Sequence, residues 1–308
     1  MNLQILKVFL FILFTAVLIA GYDSITAIAQ TVVAPAKSPF KLFETPATKN
    51  DYTPEMLQRF FGTEVTGYQI ENVSKSKELK LVGEPLLNWS NPERKFEQGS
   101  FFIWLDGKHP AVVGSIFTYQ HNNKVFRRHE LISLSGEPLV ARLDGQEVWK
   151  PKPASIEGTL VAEDLIPATT APRRLTQMRT IARELAGRHI SADGKVSELR
   201  LLPQPLFRYD ATEAGIIDGA IFTLSVATDP EILVVLEARS IDSVSNWYIV
   251  PFRSHFDALE LSYKGKQIWS ASTNLNLKMT KALQLPFALE PYFIFTPRIP
   301  LPPAEQLK

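Results

Sequence analysis

The sequence predicts an α+β protein of two tandem duplicated lobes, each a short helix packed on an antiparallel β-meander. Three observations predict it. The phrase ELKLVGEPLLNW (78–89) returns as ELRLLPQPLFRY (198–209), 120 residues later. A helix signature precedes each copy. Short apolar runs punctuated by turn residues then follow, without the strand–helix alternation that a parallel sheet requires.

The repeat continues beyond its opening phrase. Aligning 78–149 with 198–269, without a gap, gives 12 identical positions in 72, where composition alone gives roughly four. They include Gly99/Gly219, Phe102/Phe222, Pro110/Pro230 and Trp149/Trp269. These are residue types that shape folds, so the match reads as an old duplication and not as a shared catalytic motif.

The first 29 residues are a different material. Lys7 is followed by thirteen uncharged residues, Val8–Ala20. A spanning helix takes about 20 apolar residues, so this run suits the core of a signal peptide, and Ala27-Ile28-Ala29 supplies the small residues of a cleavage site. An uncleaved membrane anchor is the competing reading. On the first, residues 1–29 are removed, the chain is exported to the periplasm or secreted, and it meets membrane only through this segment before cleavage. Residues 30–50 read as a disordered lead-in.

The first repeat is placed at 51–150. Thr53 is a candidate N-cap with Pro54 in the first turn, and Met56, Leu57, Phe60 and Phe61 form an apolar stripe up to a stop at Gly62. SFFIWLD (100–106) and AVVGSIFTY (111–119) read as strands around a turn at Gly107–Pro110. LVARLDGQEVW (139–149) reads as a hairpin with Asp144-Gly145 at its tip, where positive φ favours glycine. A proline-containing strap covers 151–169.

The second repeat, 170–272, follows the same plan. Thr170 and Pro172 lead into Leu175, Met178, Ile181, Ala182 and Leu185 at helical spacing, with Gly187 as the expected stop. AIFTLSV (220–226), a Thr228-Asp229-Pro230 turn and EILVVLEAR (231–239) then match the first copy, and LELSYKGKQIW (259–269) is the second hairpin. Residues 273–308, rich in proline from Pro286 onward, are expected to lie extended on the surface or trail off it.

The runs ELRLLPQPLFRY and IIDGAIFTLSVATDPEILVVLEAR are similar to those of a family of uncharacterised exported proteins of planctomycete-type bacteria. The resemblance rests on Asp218-Gly219, Thr228-Asp229-Pro230-Glu231 and Leu236-Glu237-Ala238-Arg239. It implies export. It carries no site residues, because that family is uncharacterised.

Composition narrows the function classes. A formal charge of +1 with scattered Lys and Arg argues against nucleic acid. No cysteine is present, so there is no disulfide and no thiol chemistry. The five histidines, at 109, 121, 129, 189 and 255, form none of the close spacings that mark a metal site, so neither a metal nor another cofactor is expected. No nucleophile elbow and no phosphate-cradling glycine loop occurs.

Two kinds of candidate remain. Trp104 and Trp247 lack an aromatic twin in the other copy, which makes them the first choices for stacking on a ligand. Asp218, Asp229 and Glu237 are acids of the second copy that a hydrolase could use as an acid–base pair. The leading expectation is a non-catalytic exported binding or scaffolding protein, with a ligand cleft between the lobes and an unknown ligand or envelope protein as partner. The alternative is an exported hydrolase working through those acids.

Overall fold

In the computed structural model, residues 51–94, 97–162, 164–273, 290–294 and 299–307 are described. The segments read as signal peptide and lead-in lie outside them. Helix α1 (Pro54–Glu64) starts where Thr53 accepts a hydrogen bond from Met56 N at 3.3 Å, and it buries Met56, Leu57 and Phe61. It runs through Gly62 instead of stopping there. A glycine inside a helix costs only about 1 kcal/mol, less than the burial of Phe61 on the same turn contributes.

Strands β1 (Tyr68–Asn72), β2 (Lys77–Glu78), β3 (Lys80–Asn91), β4 (Glu97–Asp106), β5 (His109–His121), β6 (Lys124–Ser133), β7 (Leu139–Leu143) and β8 (Gln146–Trp149) complete the first half. The second half follows the short β9 (Thr159–Leu160). It holds α2 (Ala171–Arg183), β10 (Leu185–Ile190), β11 (Val196–Leu201), β12 (Phe207–Ala211), β13 (Ile216–Val226), β14 (Asp229–Ile241), β15 (Val244–Arg253), β16 (Ala258–Tyr263) and β17 (Lys266–Ala271). Thr170 precedes α2 without a side-chain cap bond. Gly187, expected to end that helix, sits in β10 instead. A Cβ there would meet Leu224 and Leu199 at 3.0 and 3.1 Å, so glycine is used for a close strand approach.

The halves correspond in detail. β5 and β14, and likewise β6 and β15, begin and end at positions displaced by 120 residues. Bulges recur at Trp104/Leu105 and Leu224/Ser225, and again at Ala141/Arg142 and Leu261/Ser262. Left-handed turn residues recur as well: Asn122-Asn123 with Asp242-Ser243, and Asp144-Gly145 with Lys264-Gly265.

The expected architecture of two lobes, each a helix on an open meander, is corrected by the strand order. In the first half, after the meander β3-β4-β5-β6, the chain crosses over so that β7 pairs with β1, in the order β2-β1-β7-β8. The second half repeats this as β17-β16-β10-β11-β13-β14-β15-β9, one nine-stranded sheet that includes β12 on β13 and is nearly a closed barrel. The physical reason is twist. Strands of this number, each rotated on the last, curl until the final hairpin reaches the first strand. In the first half the path is divided between β2 and β3, which gives separate four- and six-stranded sheets.

Nor are the lobes separate bodies. All described residues fall within one compact unit, Pro39–Lys308. Phe102, Trp104 and Val112 face a core closed by α1, and Phe222, Leu224 and Val234 face a second core closed by α2. The opposite faces of the same strands meet in a third core, where Phe101, Ile103 and Val113 pack with Ile221, Leu233 and Val235. Strands buried on both faces carry continuous apolar runs without polar alternation, which is why SFFIWLD and AIFTLSV read as they do.

The C-terminal residues do not trail off. β18 (Tyr292–Ile294) and β19 (Ile299–Pro300) both pair with β6, and Phe293, Ile299 and Leu301 enter the first core. Tyr52 donates to Pro302 O at 2.7 Å, and Arg127 binds both Glu64 and Pro300 O. The described part of the tail is therefore a structural strap on the first half.

Candidate functional site

The turn entering β5 lies against the second half, and the turn entering β14 lies against the first. Thr228 Oγ1 accepts from Ser90 N at 2.8 Å and donates to Ser90 O at 2.9 Å, while Asn91 donates to Asp229 at 3.1 Å. Across from these, Lys108 bonds Asp210 and His109 Nε2 lies 3.2 Å from Glu237. Beside each turn the shared core leaves a cavity.

The first cavity, about 270 Å3, is walled by Trp89, Arg94, Glu97, Phe117, Arg128 and Glu130 from one half and by His189, Asp229, His255 and Asp257 from the other. Arg94 bridges two acids, with Nη1 2.9 Å from Asp229 and Nη2 2.6 Å from Glu231. Two of its lining residues, His189 and His255, join the buried Glu231 in a cluster: one donor atom from each lies within 4.8 Å of the others, an arrangement that could hold a metal ion. Each comes from a different segment: His189 from β10, Glu231 from β14, His255 from the loop after β15. His189 Nε2 is 3.2 Å from Asp257, the kind of carboxylate partner that orients a ligating imidazole.

Glu231 is fully buried; Arg94 binds its Oε1, while its Oε2 makes no hydrogen bond and lies 3.8 Å from His255 Nδ1. Asp257 Oδ1 and Ser254 Oγ are likewise buried without a hydrogen bond. An unsatisfied buried carboxylate oxygen costs about 1–3 kcal/mol or more, so two such oxygens and a hydroxyl in one cluster call for a proton, a water or a cation.

The electrostatics agree. Burial pushes Glu97 up to about 7 and Glu130 up to about 8, even though Arg128 pulls both down and Tyr292 donates to Glu130 at 2.7 Å. Burial also raises Asp229 and Glu231 against the pull of Arg94. The imidazoles shift the other way. Burial and then Arg94 lower His189, and the same two causes with further cations hold His255 well below its ordinary range. The acids here outnumber the cations that reach them.

The second cavity, about 460 Å3, is the first one's counterpart at a displacement of 120 residues. Trp89 is matched by Tyr209, Phe117 by Glu237, Asp229 by His109, Glu130 by Val250, His255 by Ser135 and Asp257 by Glu137. Two of its acids are fully engaged: Asp106, at the mouth, by Lys75, Lys77 and Asn72, and the buried Glu237. Burial pushes that carboxyl up, but His109, Arg239 and Tyr209 together hold it down at about 2. Tyr209 donates to its Oε1, and Arg239 Nε reaches its Oε2 at 2.7 Å.

The sequence candidates are thus dispersed. Asp229 stands in the first cavity and Glu237 in the second. Asp218 is in neither: Arg174 Nε at 2.8 Å and Arg208 Nε at 2.9 Å hold it, so it pins α2 to β13. The three acids do not converge. Trp104 and Trp247 are buried at 1% and 0% exposure in the two helix-capped cores, and neither lines either cavity.

His189, His255, Asp257 and Arg94 escaped the sequence reading because their spacing matches no linear motif. One signal was present. Glu231 is an acid opening the apolar run EILVVLEAR, and its counterpart in the first copy is Ala111. Among the described residues no helix is long and apolar enough to cross a membrane. No protein-family model, curated protein or solved structure matches the chain.

Proposed function

We propose that the protein is an exported, metal-dependent hydrolase whose site is the first cavity. The reading rests on one observation: the buried Glu231 carboxylate, with an oxygen lacking a hydrogen bond, beside His189 and His255. Two imidazoles and one carboxylate suit zinc or another first-row divalent ion, and three protein ligands leave a position open for water.

A bound ion there supplies a Lewis acid and an activated water. The chain's own part is to place Glu97, whose carboxyl takes and returns a proton near neutral pH, on the same wall. Arg94 keeps Asp229 and Glu231 in position. The cavity's size restricts the reacting group to a small one. Of the acids singled out in the sequence, only Asp229 takes part, as an anchor for Arg94.

Export belongs to the same proposal and is carried by the N-terminal apolar run. So does kinship with the uncharacterised exported family, carried by the Asp218–Arg239 motifs.

The test is calorimetric titration of the metal-free protein, from Gln30 onward, with Zn2+, followed by a panel of small ester and amide substrates. One equivalent of zinc bound, lost in His255→Ala, with hydrolysis that depends on the metal and fails in Glu97→Gln, supports the reading. Zinc binding that survives His255→Ala overturns it.

A further inference from the structure

We propose that the second cavity is a binding site for a small apolar amine, distinct from the metal site and independent of it. Protein interiors are close-packed, and voids larger than a water molecule are few. The half-open cleft of about 460 Å3 leaves part of the shared core uncovered and so offers a site for a ligand. Val235, Val250, Phe252 and Leu134, all members of that core, form its floor. An apolar floor holds water poorly and suits a hydrocarbon body. Its rim is apolar too. Ile156 and Ile241 stand there at 41% and 53% exposure, which is costly unless something covers them.

Charge decides the head group. Lys75 at the mouth is held by Asp106 at 2.7 Å, and Arg239 is held by Glu237. Neither is free to take an anion. Glu213, exposed on the same wall, makes no ion pair among the described residues. Glu137, on the same opening, is likewise in no ion pair among the described residues, so the mouth carries two carboxylates beyond those its cations hold; it repels a carboxylate and attracts an ammonium group. The counterpart cavity is smaller and carries Glu130 where this one has Val250, with Glu97 and Arg128 on its wall as well, so the apolar floor belongs to one cavity only.

The experiment uses the mature chain and the fluorescent probe N-phenyl-1-naphthylamine, displaced in turn by decylamine, decanol and decanoate. The expected result is saturable binding of one probe per chain, with decylamine displacing it at a concentration roughly tenfold or more below that of decanoate. Val250→Trp, which fills the floor, should abolish probe binding, with folding checked by thermal melting. Because that buried substitution risks unfolding the chain, the exposed Glu213→Lys provides the second arm. It should reverse the preference, so that decanoate displaces the probe better than decylamine. No saturable probe binding, decanoate equal to decylamine on the wild type, or an unchanged order in Glu213→Lys overturns the proposal. None of these outcomes depends on zinc, so failure here is separate from failure of the metal site.

Discussion

The two cavities occupy corresponding places in corresponding halves, yet burial leads to opposite results in them. In the second, Glu237 receives an imidazole, a phenol and a guanidinium, and its carboxyl stays ionised down to about 2. In the first, Glu97, Glu130, Asp229 and Glu231 share too few cations, and all four are pushed up. The backbone is the same; the difference is a handful of side chains, with Glu130 facing Val250 and His255 facing Ser135 across the repeat. A satisfied buried acid is a structural clamp. A group of buried acids short of counter-charge, one of them with an unbonded oxygen at Glu231, is a site that stores affinity for a positive charge.

That contrast can be broken experimentally. The largest effect is expected from Glu237→Gln, which removes the buried charge shared by His109, Tyr209 and Arg239; Arg239 keeps Ile156 O and Glu157 O, so urea unfolding should show a loss of about 2–3 kcal/mol. The matching change in the first cavity, Glu130→Gln, should cost little or stabilise the protein at alkaline pH. If both substitutions cost the same, the contrast between clamp and site is wrong.

Next in size is Asp257→Asn, which removes the carboxylate partner of His189 without removing a ligand. Zinc affinity by calorimetry should fall about 10–100-fold while the melting temperature of the metal-free protein changes little. Loss of folding instead of affinity would make Asp257 a structural residue.

The pH dependence should separate the two sites. Glu237 sits below its ordinary 4.5, so its stabilisation is complete above that value and is lost as pH falls toward 2. Glu130 sits above its ordinary 4.5, at about 8. The folded state holds a proton that the unfolded state releases, so stability declines as pH rises from about 4.5 to 8. Glu130→Gln should make the alkaline limb of a stability–pH curve shallower, with Glu97, Asp229 and Glu231 supplying the rest, and leave the acid limb in place; Glu237→Gln should make the acid limb shallower, with Asp106 supplying the rest, and leave the alkaline limb in place.

The smallest effect compares the helix starts. Thr53→Ala removes a cap bond and should cost about 1 kcal/mol, whereas Thr170→Ala, which removes none, should be close to neutral by thermal denaturation.

Much of the local structure was legible in the chain. Thr53 and Pro54 marked the start of α1, and Asp144-Gly145 and Lys264-Gly265 marked hairpin tips whose φ values are indeed positive. The apolar runs marked the central strands. These features depend on a few neighbouring residues and on backbone sterics, which a linear reading can follow. Gly62 and Gly187 misled for the same reason. Their local preference for ending a helix was outweighed by the packing of Phe61 and by the approach of Leu199 and Leu224.

The sequence by itself determined where strands and turns fall and that the pattern returns after 120 residues. Only the tertiary structure decided which side chains meet. His189, Glu231 and His255 join because β16 crosses back to β10 and curls the second half's sheet, and Arg94 reaches Glu231 because the two halves then pack face to face. Both steps depend on twist and burial summed over many strands, and that sum is written in no single stretch of the chain.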